Sequence, residues 1–321
     1  MKLVSTFCFH PEQLREIASM GVKTVQYQSE HDLIEGREYE DADIIIANHR
    51  TLQKPFLDKC RKLKWVQVPH IGIERLPMDE LQRRGIIVIN ARGSMGVPIA
   101  EHIFCNMLML CRKSAEILKN QFARSWTKMG GFINLYGKTA GIIGTGDVGT
   151  ETAKRARVFG MKVIGINTDG RPLPEFDRIY GPDRINEVIA ESDFIILTLP
   201  LTERTKGMID REQFELMKPG AYLINISRGA LINEAVLLEY LRNKKIAGAA
   251  LDVFVDEFRF GYLPEESPFW ELDNVIITPH CAGGGDSFAQ RFSTVFLQNL
   301  RLFVNGQVEQ MINVREFGKG Y

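Results

Sequence analysis

Three short segments carry the ionisable residues best placed to do chemistry. They are Asn225-Ile226-Ser227-Arg228-Gly229-Ala230, Leu251-Asp252-Val253-Phe254-Val255-Asp256-Glu257 and Thr278-Pro279-His280-Cys281-Ala282-Gly283. Each follows an apolar, strand-like run, so an Arg, an acid and a His stand after three strands. In an open α/β sheet, ligands bind outside the carboxyl ends of the strands. Groups placed there can converge on one small molecule. A guanidinium grips a carboxylate through two bonds and polarises a neighbouring ketone. A histidine gives a proton to the developing alkoxide, and a carboxylate keeps that histidine charged near neutral pH. The set suits reduction of a 2-keto acid. Spacing alone does not single out the acid, because Asp256, Glu257 and Glu265 are all near.

A second motif supplies a place for a nucleotide. Gly144-Thr145-Gly146-Asp147-Val148-Gly149 is a G-x-G-x-x-G that directly follows the strand-like Ala140-Gly141-Ile142-Ile143 and opens a helical pattern. The first glycine permits the tight turn, the second removes a Cβ from the path of a pyrophosphate, and the third lets helix and strand pack closely. The phosphates then meet free N–H groups at a helix N-terminus. An acid is expected about 20 residues on, to hold the ribose 2′-OH. Here Asn167 stands in that place, Asp169 comes two residues late, and Arg171 is near enough to meet a 2′-phosphate. NAD and NADP both remain open.

These residues need a scaffold of alternating strands and helices, and the chain reads that way almost from end to end. Strands are expected at Lys2–Thr6, Thr24–Tyr27, Ile44–Ala47, Trp65–Val68 and Ile86–Asn90, with helices at Pro11–Met20 and Met78–Arg84. One long helix is expected from Pro98 to about Asn120. A second series follows, with strands at Thr139–Ile143, Lys162–Ile166, Asp193–Leu199, Tyr222–Ile226, Ala247–Leu251 and Val275–Thr278. Helices are expected there at Val148–Phe159, Asn186–Glu191, Arg211–Met217 and Glu234–Asn243. The alternation implies two doubly wound parallel sheets. A last helix, Phe288–Val304, has no further strand to cross to and is expected to return to the first domain. The boundaries so read are 1–97 with 288–321, and 98–287.

Composition narrows the class. The 321 residues are 45% hydrophobic, and 40 basic residues balance 40 acidic ones. That balance disfavours a nucleic-acid or anionic-membrane surface as the main business. Five scattered cysteines without a Cys-x-x-Cys pair fit neither a disulfide framework nor a zinc site, so no metal is expected. No apolar run approaches the ~18–20 residues of a membrane span, and the N-terminus lacks an export pattern. A cytoplasmic protein is expected.

Taken together, the motifs resemble the D-isomer-specific 2-hydroxyacid dehydrogenase family, which includes glyoxylate/hydroxypyruvate reductases, D-lactate dehydrogenases and phosphoglycerate dehydrogenases. The resemblance runs through Pro98-Ile99-Ala100-Glu101-His102, Gly137-Lys138-Thr139, the glycine loop, Leu199-Pro200-Leu201-Thr202, Met217-Lys218-Pro219-Gly220 and Asn225–Glu234. It continues through Ala249–Phe254 and Ser267-Pro268 to Thr278–Gly283. It implies an α/β architecture in which a Rossmann dinucleotide-binding domain is inserted in a flavodoxin-like substrate domain. By position it implies Arg228 on the substrate carboxylate and carbonyl, His280 as acid/base, and Glu257 as its partner. Gly144, Gly146, Asp147, Val148, Gly149 and Asn167 would hold the nucleotide. Leu199, Pro200, Ile226 and Ser227 would line its cleft, with Asp252, Ala282 and Gly283 at the nicotinamide end. His70, Ile71, Gly72 and Ile73 occupy the place of the loop that holds the substrate carboxylate with backbone N–H groups. A homodimer built on the Pro98–Asn120 helix is expected by the same resemblance.

The chain departs from that pattern in three places. Asn167 replaces the usual acid. Phe258-Arg259-Phe260-Gly261-Tyr262 intervenes after Glu257, where the family usually continues with Pro-Leu. His70 is a polar side chain at the substrate loop, read either as a solvated residue or as a substrate contact. His102 reads as structural, and Cys281 as a small buried side chain. The stripe Ile103, Met107, Leu108 and Cys111 reads as core or subunit interface. The competing function is a nicotinamide-sensing binding protein, like the C-terminal-binding transcriptional co-repressors, which share the fold.

Overall fold

The computed structural model describes residues 1–315. The chain forms two compact units, Met1–Met95 with the segment from Gly285 onward, and Gly96–Gly284. The final residues of the expected 288–321 segment, 316–321, lie outside the described residues.

The first unit is built on strands β1 (Lys2–Ser5), β2 (Lys23–Gln26), β3 (Ile44–Ile46), β4 (Trp65–Gln67) and β5 (Ile87–Ile89), with helices α1 (Pro11–Ser19), α2 (Glu30–Gly36), α3 (Lys54–Leu57) and α4 (Met78–Arg83). All pairings are parallel, in the order β2-β1-β3-β4-β5. β3 reads Ile-Ile-Ile because both its faces are covered, as a buried parallel strand requires. α1 begins at proline, whose missing N–H is harmless in the first turn.

The second unit opens with α5 (Gly96–Cys111) and α6 (Ser114–Phe122), where the sequence predicts one helix. Lys113 between them adopts a left-handed backbone (φ +52°), which ends α5. On α5, Ile103, Met107 and Cys111 are at most 1% exposed and belong to the core, whereas Leu108, Met109 and Leu110 are half-buried and Glu101 and Cys105 are exposed. α6 buries no residue. The unit continues through β6 (Thr139–Ile143), α7 (Asp147–Val158), β7 (Lys162–Ile166), β8 (Arg178–Tyr180), α8 (Ile185–Glu191), β9 (Phe194–Leu197) and α9 (Arg211–Leu216). It ends with β10 (Tyr222–Asn225), α10 (Glu234–Arg242), β11 (Gly248–Leu251), α11 (Val255–Phe260) and β12 (Val275–Ile277). Its strands are all parallel, in the order β12-β11-β10-β9-β6-β7-β8. The edge strand β8 and helix α11 are additions to the sequence reading. The order reverses between β6 and β9, the switch point at which such sheets bind ligands.

α12 (Phe288–Val304) returns to the first unit, where Phe292, Phe296, Leu297 and Leu300 pack with Leu3, Ile17, Ile44 and Trp65. Among the described residues no helix is long and apolar enough to cross a membrane.

Candidate active site

The segments singled out by residue type all leave the same edge of the second sheet. Gly144 follows β6, Asn167 follows β7, Leu199 lies beyond β9, Arg228 beyond β10, Asp252 follows β11, and His280 lies beyond β12.

The glycine loop fits a dinucleotide pyrophosphate. Gly144 has φ +104°, and a Cβ there would lie 2.8 Å from the Thr198 carbonyl oxygen. A Cβ on Gly149 would lie 2.1 Å from the Gly144 carbonyl oxygen, so helix and turn meet without side chains. A Cβ on Gly146 would meet nothing within 4 Å, which leaves open the side where a phosphate needs room. Gly146 caps α7, and Asp147 and Val148 are its first residues. Asp147 sits in the first helical turn, where the dipole favours an acid.

Beyond β7, the Asn167 side chain closes a turn. Its Nδ2 donates to the Arg171 carbonyl (2.9 Å), and its Oδ1 accepts from the Asp169 N–H (3.3 Å). Arg171 pairs with Asp169 at 2.9 Å on the surface. An aspartate at 167 would lack the donor that this turn uses.

Arg228, Glu257 and His280 come from the loops after β10 and β12 and from the first turn of α11. His280 Nδ1 lies 2.5 Å from Glu257 Oε1. Burial pushes the Glu257 carboxyl up. The His280 hydrogen bond and charge, the Phe254 backbone and the Arg228 charge outweigh burial and hold it below its ordinary value. The segment after Glu257 is the remainder of α11, ended by Gly261 at φ +84°, whose N–H returns to the Glu257 carbonyl (2.8 Å). Phe260 and Tyr262 beyond it are exposed.

His280 has a left-handed backbone, φ +48°. A non-glycine residue holds this conformation at a cost of roughly 1–2 kcal/mol. Asp252 supplies the restraint. Its carbonyl accepts the His280 N–H (3.0 Å). Its carboxylate accepts the N–H groups of Cys281 (3.1 Å) and Ala282 (3.0 Å) and the Thr278 hydroxyl. His102 Nε2 lies 3.1 Å from Thr278 Oγ1 and 3.6 Å from Asp252 Oδ1, so His102 belongs to this network. The side chain of Asp252 is fully buried. Its oxygens are committed to the loop that carries His280, a role that sequence position alone did not reveal. Cys281 is exposed, contrary to the sequence reading, although its N–H is donated to the buried Asp252 Oδ1 (3.1 Å). His102, Asp252 and Cys281 bring ligand-type atoms within 4.8 Å of one another, but the donors already on Asp252 account for its charge.

Ser227 is buried, with its hydroxyl on the Leu197 carbonyl (2.9 Å) and its N–H on Asn225 Oδ1 (3.1 Å). Ile226 is buried beside it, and Leu199 packs against the sheet core.

In the first unit, His70–Ile73 leave β4 at the carboxyl edge of that sheet. The loop's carbonyls are tied back: His70 O accepts the Ala91 N–H (3.0 Å), Ile71 O accepts Asn90 Nδ2 (2.8 Å), and Gly72 O meets His70 Nδ1 (2.6 Å). Both imidazole nitrogens of His70 are engaged, since Nε2 lies 3.1 Å from His49 Nδ1. His70 is half-buried, and both its ring nitrogens have partners within the first unit.

Comparison with known proteins fits these observations. Residues 104–282 match the family "D-isomer specific 2-hydroxyacid dehydrogenase, NAD binding domain". The chain is 32% identical over 322 residues to a D-3-phosphoglycerate dehydrogenase of Methanocaldococcus jannaschii, covering 98% of this chain but only 60% of that protein's length. It is 31% identical over 333 residues to a glyoxylate reductase of Thermococcus onnurineus, with 95% of this chain and 97% of that protein covered. A crystal structure of a D-isomer specific 2-hydroxyacid dehydrogenase family protein from Aeromonas salmonicida superimposes with a TM-score of 0.85. It shares 32% identity over 98% of this chain and 99% of that one.

Proposed function

The chain belongs to the D-isomer-specific 2-hydroxyacid dehydrogenase family, and from that premise we propose that it reduces a small 2-keto acid such as glyoxylate or hydroxypyruvate to the corresponding 2-hydroxy acid, the D-isomer where the product is chiral. The observation that carries the reading is the His280–Glu257 contact, with the Arg228 charge acting on the same carboxylate.

Arg228 binds the substrate carboxylate and polarises the keto oxygen. In the first unit, the N–H groups of Ile71, Gly72 and Ile73 are offered as contacts for a substrate carboxylate. His280 delivers its ring proton to the oxygen that becomes the hydroxyl, and Glu257 stabilises the imidazolium before transfer. Gly144, Gly146, Gly149 and the backbone N–H groups of Asp147 and Val148 would hold the cofactor's pyrophosphate. Asn167 would hold its ribose, Leu199, Pro200, Ile226 and Ser227 would line its cleft, and Ala282 and Gly283 would stand at its nicotinamide end. Asp252 shapes that end through the loop it holds. When bound, the reduced nicotinamide supplies the hydride to the keto carbon. No carboxylate at Asn167 repels a 2′-phosphate, so NADPH is accepted alongside NADH. The protein acts in the cytoplasm as a homodimer.

The test is a panel of glyoxylate, hydroxypyruvate and pyruvate assayed with NADH and NADPH in parallel. Rapid cofactor oxidation with one of them supports the proposal. Tight nucleotide binding without turnover would replace it with the sensing role.

A further inference from the structure

Two histidines outside the catalytic trio are built into the first unit as a hydrogen-bonded pair. Their rings meet edge to face with centroids 4.9 Å apart. They lie on consecutive loops at the carboxyl edges of β3 and β4, adjacent strands of the sheet. A carbonyl oxygen only accepts, so Gly72 O fixes the proton on His70 Nδ1. In the neutral ring His70 Nε2 is then an acceptor. It receives the Nδ1–H of His49 (3.1 Å) and faces the His49 backbone N–H (3.4 Å). The direction of every bond in the pair follows from that one carbonyl. Burial, then the charges of His70, Arg75 and Arg50, lower the His49 ring to about 4, so it stays neutral above mildly acid pH.

The pair has a consequence for the backbone. The carbonyls of His70, Ile71 and Gly72 all accept hydrogen bonds from within the unit, and Gln53 Nε2 takes the Arg75 carbonyl (3.0 Å) and the His49 carbonyl (2.5 Å). Among the described residues, the N–H groups of Ile71, Gly72 and Ile73 meet no acceptor. A loop with its carbonyls tied back and consecutive N–H groups unspent is a receptor for an anion.

We propose that His49 and His70 are positioning residues for the substrate carboxylate: the imidazole pair turns the Gly72 carbonyl inward and thereby presents the N–H groups of Ile71–Ile73. The proposal rests on the 2-keto-acid reading above. It assigns the pair no proton transfer and no direct substrate contact. Its effect belongs in binding of the acid rather than in the chemical step.

The experiment compares wild type with His70→Phe, His70→Asn, His49→Phe and His49→Asn. Each is measured for KM and kcat with the best 2-keto acid, KM for the nicotinamide, and dissociation constant for oxalate by calorimetry. His70→Phe should raise the keto-acid KM and weaken oxalate by about tenfold or more, the order expected when hydrogen-bonded positioning is lost. The kcat should stay within about threefold and the nicotinamide KM should not move. His70→Asn keeps a donor for Gly72 O and should recover most of the loss. The His49 variants, one bond further out, should show smaller changes in the same direction. Unchanged oxalate affinity in His70→Phe overturns the proposal. So does an equal fall in kcat for all variants without rescue by Asn. If His70→Phe does not fold, the half-buried His49 variants carry the same comparison. Wild type that turns over no 2-keto acid sinks the functional reading instead, and the oxalate series still decides the loop.

Discussion

Asp252→Asn isolates the carboxylate that holds the loop bearing His280. In the native protein Oδ1 accepts the Thr278 hydroxyl and the Cys281 N–H, and Oδ2 accepts the Ala282 N–H. An asparagine of the same shape keeps one oxygen. Its best orientation leaves that oxygen toward Thr278 and Cys281 and turns an NH2 group against the Ala282 N–H. One charge-assisted bond is lost, about 1.5–3 kcal/mol, and a buried donor is left without an acceptor, about 1–3 kcal/mol. The loop has a way to relax. Releasing the left-handed backbone of His280 returns roughly 1–2 kcal/mol. The net loss of stability is therefore about 2–4 kcal/mol, or on the order of 10 °C in Tm for a unit of this size. Relaxation displaces His280 from Glu257 and from the reacting oxygen, and a shift near 1 Å costs about 10²-fold in rate. The measurements are thermal unfolding, kcat with the best 2-keto acid, and nicotinamide affinity by fluorescence. A variant within about 0.5 kcal/mol and threefold of wild type would show that Asp252 is not what holds His280 in place.

The remaining predictions address other parts of the site. His280→Ala should lower kcat by about 10²–10⁴-fold with nucleotide binding nearly intact; normal turnover would remove His280 from the mechanism. The lowered Glu257 carboxyl stays charged as pH falls through the ordinary carboxylate range, so its support of the imidazolium persists at acid pH. Glu257→Gln removes that charge and should move the upper limb of the reduction rate to lower pH, a shift read from initial rates across pH. Arg228→Lys keeps the charge but not the forked geometry, and should raise the keto-acid KM and lower kcat together. Asn167→Asp should shift preference from NADPH toward NADH and loosen the turn to Arg171; an unchanged ratio of kcat/KM would place residue 167 away from the ribose. A homodimer near twice 36.5 kDa is expected by light scattering. Beside the outer side of the helices over Pro98–Asn120, the exposed Phe122 (81%), Trp126 (100%) and Tyr136 (80%) offer apolar area for that contact. Trp126→Ser should raise the dimer dissociation constant.

What the sequence made legible follows from what repeats in it. Alternating strands and helices announce themselves through apolar runs and glycine punctuation, and the glycine loop is read from spacing because its constraints are steric and local. Pattern misled where it continued past a backbone break. Ile117 stays in phase with α5, but Lys113 is left-handed and the helix after it buries nothing. Strand β8 escaped because Arg178-Ile179-Tyr180 is a three-residue edge with too little periodicity to notice. The segment after Glu257 was visible as extra length, yet its helical form depends on Gly261.

The three residues proposed to react and the two networks around them differ in a deeper way. Arg228 and His280 stand out by residue type after apolar strands, whereas Glu257 was separated from Asp256 and Glu265 only by the family resemblance. Asp252, Thr278 and His102 act by bonding to one another and to backbone across 26 and 176 residues of chain. His49 and His70 meet only because β3 and β4 are neighbours. No spacing rule marks such pairs, since their separation is set by loop and helix lengths that a sheet tolerates freely. Yet they decide which way a carbonyl faces and which rotation of the backbone His280 accepts. The groups that react are thus written in residue types, while the groups that aim them are written in topology. That division explains why substitution of an aiming residue should alter binding or stability, whereas substitution of a reacting residue should alter turnover.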